Sequence, residues 1–407
     1  MYAIRNALCF KSVHPALPIL DAANPAGSIL LPSNLCVVAS TEYTAIGTHL
    51  FDSLREAIPI MRTRRSLWLL TTAVFALLAC SLLTYRSVLA HSAATPTRSF
   101  EFIYQAHFPA QPEATGAAHL WVPVPQPDGY QQIRDLRIES AVAHKEGRES
   151  KYGNHFVEFS PTPAQVASGF DVTLRFSATR REHKVALGAA VRPAAFHAQD
   201  ETELHRYLQP DKLVPLNGVI AQLAKEHTAG DTTDIQKAHH IYEYVVATMR
   251  YDKSGEGWGR GDALWACDAK RGNCTDFHSV FIGMMRASGI PARFEIGFPL
   301  PEGKSEGDIP GYHCWAEFYL KGTGWVPVDA SEAWKNPAKH DYFFGAHDVN
   351  RVFFSYGRDL RLGPDQKGDS LNYFIYPYAE VNGQAFKGVT THFSFRDLTP
   401  ASAAAGR

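Results

Sequence analysis

Phe100, Phe102, Tyr104, Ala106 and Phe108 stand at every second position, with Glu101, Gln105 and His107 among the residues between them. A period of two puts all five on one face of an extended chain, so the segment reads as a strand with that face buried. Val172, Leu174 and Phe176 repeat the pattern. Leu120–Pro125 is a third strand, its prolines suited to an edge or an end. Tyr152–His155 is a turn ahead of Phe156–Phe159. Short strands separated by turn signals predict an antiparallel β-sandwich-like domain over residues 98–185.

The pattern then changes period. Residues 186–229 read as an Ala- and Pro-containing linker and a helical segment. Asp231 or Thr232 caps a helix reaching about Met249, with Ile235, Ala238, Ile241, Tyr242 and Val245 at helical spacing. A second helix begins at Cys274. Phe277, Val280, Phe281, Met284 and Ala287 share its face, and Gly289 with Pro291 stops it. Phe294, Ile296 and Phe298 form a strand, and Pro299–Pro310 a polar loop. Tyr312–Leu320 and Gly324–Asp329 are strands joined by a hairpin turn at Lys321–Gly324. Aromatic strand-like segments at Val352–Tyr356, Tyr373–Tyr378 and Thr391–Phe395 make a C-terminal β-rich extension over 346–397. Separate runs of strands and helices predict an α+β fold.

Composition is that of a globular protein: 407 residues, 45% hydrophobic and 20% charged, with a net charge of -1. No basic face for nucleic acid follows from that balance. One segment, 61–90, departs from it. Arg62, Arg64 and Arg65 precede an uncharged apolar run from Leu67 to Leu83, and Val88-Leu89-Ala90 follows. Those parts in that order spell a secretory signal peptide. Two variants stay open. Leu77-Leu78-Ala79-Cys80 loosely resembles a lipobox, and the run nears the ~18 residues needed to span a bilayer, so residues 66–85 would be a membrane anchor if uncleaved. Each variant places the remainder outside the cytoplasm, in the periplasm or anchored facing it. Met61 is read as the initiator, and residues 1–60 as a non-native upstream extension.

The chemistry concentrates further on. Cys274 opens a helix, where unpaired N–H groups and the dipole favour a thiolate. A buried structural cysteine is the plainer reading, and the neighbouring Asn273, Thr275 and Asp276 argue against a dry site. His313 opens a strand, on a face with Trp315, Glu317 and Tyr319, while Cys314 points to the other face and into the core. Asp329 ends the opposing strand, where a carboxylate can accept the second imidazole N–H. Counted from the hairpin centre, His313 lies about three residues further out than Asp329, an offset that predicts a β-bulge or a longer connection. His278 and Asp276 are weaker candidates, Asp276 as a partner of the helix dipole. His239 and His240 lack a helical metal partner. No cluster has zinc spacing, and no Walker, EF-hand or dinucleotide motif occurs, so neither metal nor cofactor is expected. Beyond the leader the cysteines are Cys267, Cys274 and Cys314. Either Cys267 pairs with Cys314, or both are buried inert thiols.

Gly272-Asn273-Cys274, the run Ala287–Arg293, His313-Cys314-Trp315-Ala316-Glu317 and Gly324–Asp329 together resemble the transglutaminase-like superfamily, and in particular its bacterial exported cysteine-protease type. The resemblance covers residues 230–345. It implies a papain-like catalytic core, preceded here by the β-sandwich-like domain, with Cys274 as nucleophile, His313 as base and acid, and Asp329 as orienter. It implies attack on an amide or ester carbonyl and a thioester intermediate. The Cys274 N–H is one oxyanion donor, and the side chain of Tyr251 or Trp265 a candidate second. Three function classes stay open. One is hydrolysis of peptide, isopeptide or other amide bonds in a peptide or protein substrate, cell-wall peptides among them. Another is protein cross-linking through amine acceptors. The third is a non-catalytic binding module that keeps the fold.

Overall fold

The computed structural model describes residues 95–398 except Thr115 and 188–200. The leader expected at 61–90 lies outside the described residues. Among those residues no helix is long and apolar enough to cross a membrane.

The alternating segments do form strands. Thr97–Phe108 carries Phe100, Phe102, Tyr104, Ala106 and Phe108 inward, all nearly inaccessible to solvent. It sits between Phe170–Arg181 and Thr390–Asp397 in a five-stranded antiparallel sheet. Gln131–Ser140 and Glu306–Asp308 close its two edges. A second five-stranded antiparallel sheet runs Gln384–Phe386, Tyr378–Val381, Ala118–Pro123, His155–Phe159, His144–Arg148. Both sheets therefore take strands from the two ends of the described residues. The segments read as 98–185 and 346–397 share ladders, with Phe100 opposite Asp397 and Tyr378 opposite Trp121.

The half that holds Cys274 and His313 is built on a four-stranded antiparallel sheet, ordered Gly324–Val328, His313–Leu320, Ala292–Pro299, Arg351–Tyr356. Its aromatic side chains pack on the first sheet: Phe298 lies 5.4 Å from Phe102 and 4.4 Å from Phe393, ring to ring. One hydrophobic core thus runs through both halves. The architecture is α+β, as the separate runs of strands and helices predict.

Helix Cys274–Ala287 packs against this sheet, with every residue from Cys274 to Arg286 buried. Each large apolar side chain on it, such as Phe277, Phe281 or Met284, contributes about 1.5–3 kcal/mol by leaving water. Gly289, with φ of 79°, and Pro291 end the helix as expected. Helix Asp234–Thr248 lies beside it. Its cap is Thr233 and not Asp231 or Thr232, because Gln236 stands at the position that returns the reciprocal bond of a capping box.

Candidate active site

The helix start that holds Cys274 is fixed by its neighbours. The Asn273 side chain accepts from Thr275 N at 2.9 Å, and Asp276 accepts from Asn273 N at 2.9 Å. Cys274 is thereby the first helical residue. Asp276 also accepts from Gly259 N at 2.7 Å and Gly261 N at 2.9 Å. It does more than face the dipole, because it ties the preceding loop to the helix start. Burial outweighs these bonds and pushes its carboxyl up to about 6. Gly272 must be glycine, since a Cβ there would lie 2.2 Å from Asp276 Oδ2.

His313 and Asp329 meet directly, Nε2 to Oδ2 at 2.7 Å, both buried. The expected bulge is absent. The hairpin ladder is regular, with Leu320 opposite Gly324 and Ala316 opposite Val328. Continued by one pair, it sets Asp329 opposite Trp315, two residues from His313 and on the same face. Such diagonal neighbours are within reach of long side chains. Asp329 then leaves the strand to cap helix Ala330–Lys335, accepting from Glu332 N at 3.0 Å. Arg351 donates to its Oδ2 at 3.2 Å, and His278 Nε2 lies 3.6 Å from its Oδ1.

These contacts set the charges. Burial opposes the His313 cation, but the Asp329 carboxylate beside it raises its pKa to about 10. Burial likewise opposes the Cys274 thiolate, yet hydrogen bonds from Cys314 and His313, and the His313 charge, hold the thiol well below its ordinary value. Asp329 stays ionised because His313 and Arg351 outweigh its burial. The resting arrangement is a thiolate beside an imidazolium, with the carboxylate behind it. Since Nε2 faces Asp329, Nδ1 is the nitrogen left for the sulfur.

Several further side chains surround these three. Cys314 is core, as its strand face predicts, but that core face is also where it engages the Cys274 sulfur and lies 3.7 Å from His278 Nδ1. Tyr312 accepts from Asn273 Nδ2 at 3.0 Å, and its ring lies 5.5 Å from Tyr373 and 5.8 Å from Tyr376. Tyr251 pairs with Gly272 in a short parallel ladder, two residues before Cys274. Burial, then the Cys274 charge, pushes its hydroxyl pKa up, so the proton stays on and can be donated. Trp265, the other expected donor, packs under the Arg271 guanidinium at 5.7 Å. Cys267, Cys274 and Cys314 are all unpaired, so the Cys267–Cys314 disulfide is not formed; Cys314 is buried, whereas Cys267 is half-buried, its thiol raised by burial to about 11.

A family model, the transglutaminase-like superfamily, matches residues 221–330. An uncharacterized protein of Haemophilus influenzae is 28% identical over 344 residues, covering 76% of this chain and 93% of that one. YebA of Bacillus subtilis, also uncharacterized, is 32% identical over 81 residues, 18% of this chain and 11% of that one. Among solved structures, a candidate cysteine protease from Cytophaga hutchinsonii has a TM-score of 0.51 at 16% identity, covering 75% of this chain and 92% of that one. That likeness is one of fold.

Proposed function

We propose, from the premise that this chain belongs to the transglutaminase-like superfamily through residues 221–330, that it is a cysteine-dependent enzyme hydrolysing amide bonds through Cys274, His313 and Asp329. The observation that carries the reading is His313, set between a depressed Cys274 thiol and the Asp329 carboxylate at 2.7 Å.

The thiolate of Cys274 attacks the carbonyl carbon of a peptide or isopeptide bond. The oxyanion that forms accepts from the Cys274 N–H, which as the first of its helix has no intrahelical acceptor. Tyr251 supplies a second donor. His313 Nδ1–H protonates the departing amine, leaving a thioester on Cys274 and a neutral imidazole. Water then gives a proton to His313 and its oxygen to the acyl carbon, which releases the acid and restores thiolate and imidazolium. Asp329 holds the ring orientation throughout. Tyr312, Tyr373 and Tyr376 offer an aromatic wall beside the nucleophile for the acyl side chain. The apolar, Arg-preceded run at 61–90 supports an exported location, where cell-wall peptides are a fitting substrate class.

A thiol-directed activity probe on the full chain tests the chemistry. Cys274 is expected to label, and Cys274→Ala to abolish labelling and turnover. Undiminished labelling of that variant would assign the reactivity to another thiol. Ammonia release that depends on an added amine acceptor would replace hydrolysis with transfer. Fractionation of cells making the tagged protein tests export, and a cytoplasmic pool alone would reject it.

A further inference from the structure

We propose that His183, Glu317 and His347 form a binding site for a divalent transition metal ion of the zinc class, joining the β-sandwich half to the sheet that bears His313. The three come from distant parts of the chain, so no spacing in the sequence announces them. His183 and His347 face each other across a two-stranded antiparallel ladder, Lys184 and His183 against Ala346 and His347. Glu317 projects beside them from strand His313–Leu320. The ligand atoms all lie within 4.8 Å of one another, and all three residues are buried.

Two further observations point to an ion. His347 is fully buried, yet neither of its ring nitrogens has a hydrogen-bond partner. Leaving a buried polar group unpaired is costly, and a metal bond would satisfy one nitrogen. Glu317 is also oriented for the task. Its Oε2 accepts from Arg293 Nε at 2.9 Å, while Oε1 faces His183 Nδ1 at 3.1 Å, where a metal would replace the shared proton. Holding one carboxylate oxygen in this way is how outer partners orient a ligand.

Two imidazoles and a carboxylate suit zinc, and also cobalt or nickel. With bonds of about 2.0–2.2 Å the set would close inward by on the order of 1 Å, a side-chain rotation. A cavity of about 440 Å³ bordered by Asp128, Tyr130, His183, Arg293, Glu317 and Trp325 supplies the approach and room for a water as fourth ligand. The cations nearby do not forbid the ion. Arg293 is matched by Glu295 at 3.0 Å as well as by Glu317, and Arg351 by Asp329 at 3.2 Å and Asp348 at 3.5 Å.

Cobalt titration of the full chain carrying Cys274→Ser tests the site, with the serine removing the thiolate that would compete for metal. One equivalent of Co²⁺ is expected, with visible d–d bands of a nitrogen–oxygen site and no thiolate charge-transfer band, displaced by Zn²⁺. Zinc is expected to raise the melting midpoint of this parent. His347→Phe and Glu317→Gln, checked for folding by circular dichroism, are each expected to lose that equivalent and that shift. No cobalt band and no zinc-dependent shift in the folded parent overturns the proposal without any variant. Thiolate bands, or full signal retained in both variants, overturn it as well.

Discussion

Asp329 serves two structures at once: it caps helix Ala330–Lys335 and it orients His313. Asp329→Asn separates the roles, because an amide oxygen still caps while the charge is lost. Turnover is expected to fall by about 10²–10⁴-fold, the usual range for acid–base assistance, with the melting midpoint near that of the parent. Turnover within tenfold of the parent would remove Asp329 from the machinery. The Cys274–His313 pair predicts a pH profile. A thiol held below its ordinary value remains thiolate at neutral pH and is protonated only as the medium turns acid. Alkylation of Cys274 by iodoacetamide should therefore already be at its plateau at pH 7. In His313→Gln the rise should move toward the free-thiol value of about 8.5. Turnover of the parent should decline above about 10, where His313 loses its proton. Cys274, His313 and Asp329 were legible because each sits in a short motif at an element end. His278 was legible only as a weaker candidate, and the roles of Cys314 and Arg351 were not legible, since only tertiary packing brings them to the same carboxylate and sulfur.

Elements were legible where period and punctuation agreed. Helix Cys274–Ala287 has a polar cap, an apolar face and a Gly–Pro stop, and it runs between those marks. The hairpin was legible as two strands and a turn, but not in its consequence. The offset between His313 and Asp329 looked like a register fault, yet a diagonal contact across a regular ladder closes it. Gly297 shows what the sheet requires inside. It pairs with His313 on one side and Phe353 on the other, at a register shift. A Cβ there would lie 1.8 Å from Val352 O, so two strands would have to part. Gly297→Ala is expected to destabilise by on the order of 2 kcal/mol or more, read as a lowered melting midpoint, and to slow turnover through the displaced His313. An unchanged midpoint would mean that the strand pair yields freely.

At the scale of the whole molecule the pairing of the first and last described strands was illegible, because a ladder between residues some three hundred positions apart leaves no local mark. Removing residues 378–398 would strip partners from Thr97–Phe108 and Ala118–Pro123 and expose the core around Phe393 and Phe395. Two phenylalanines alone carry about 3–6 kcal/mol of burial, a large share of the ~5–15 kcal/mol of an ordinary protein. The truncated chain is expected to aggregate or to lose its cooperative melt by circular dichroism, although every residue of the candidate site is retained. A cooperative melt at the parent's midpoint would refute that dependence.

The same adjacency makes the described residues nearly a ring, nicked where Thr97–Phe108 lies against Thr390–Asp397. A peptide linker closing the nick, with a new opening at the exposed Gly303, would reorder the sequence by circular permutation and leave every ladder of the three sheets intact.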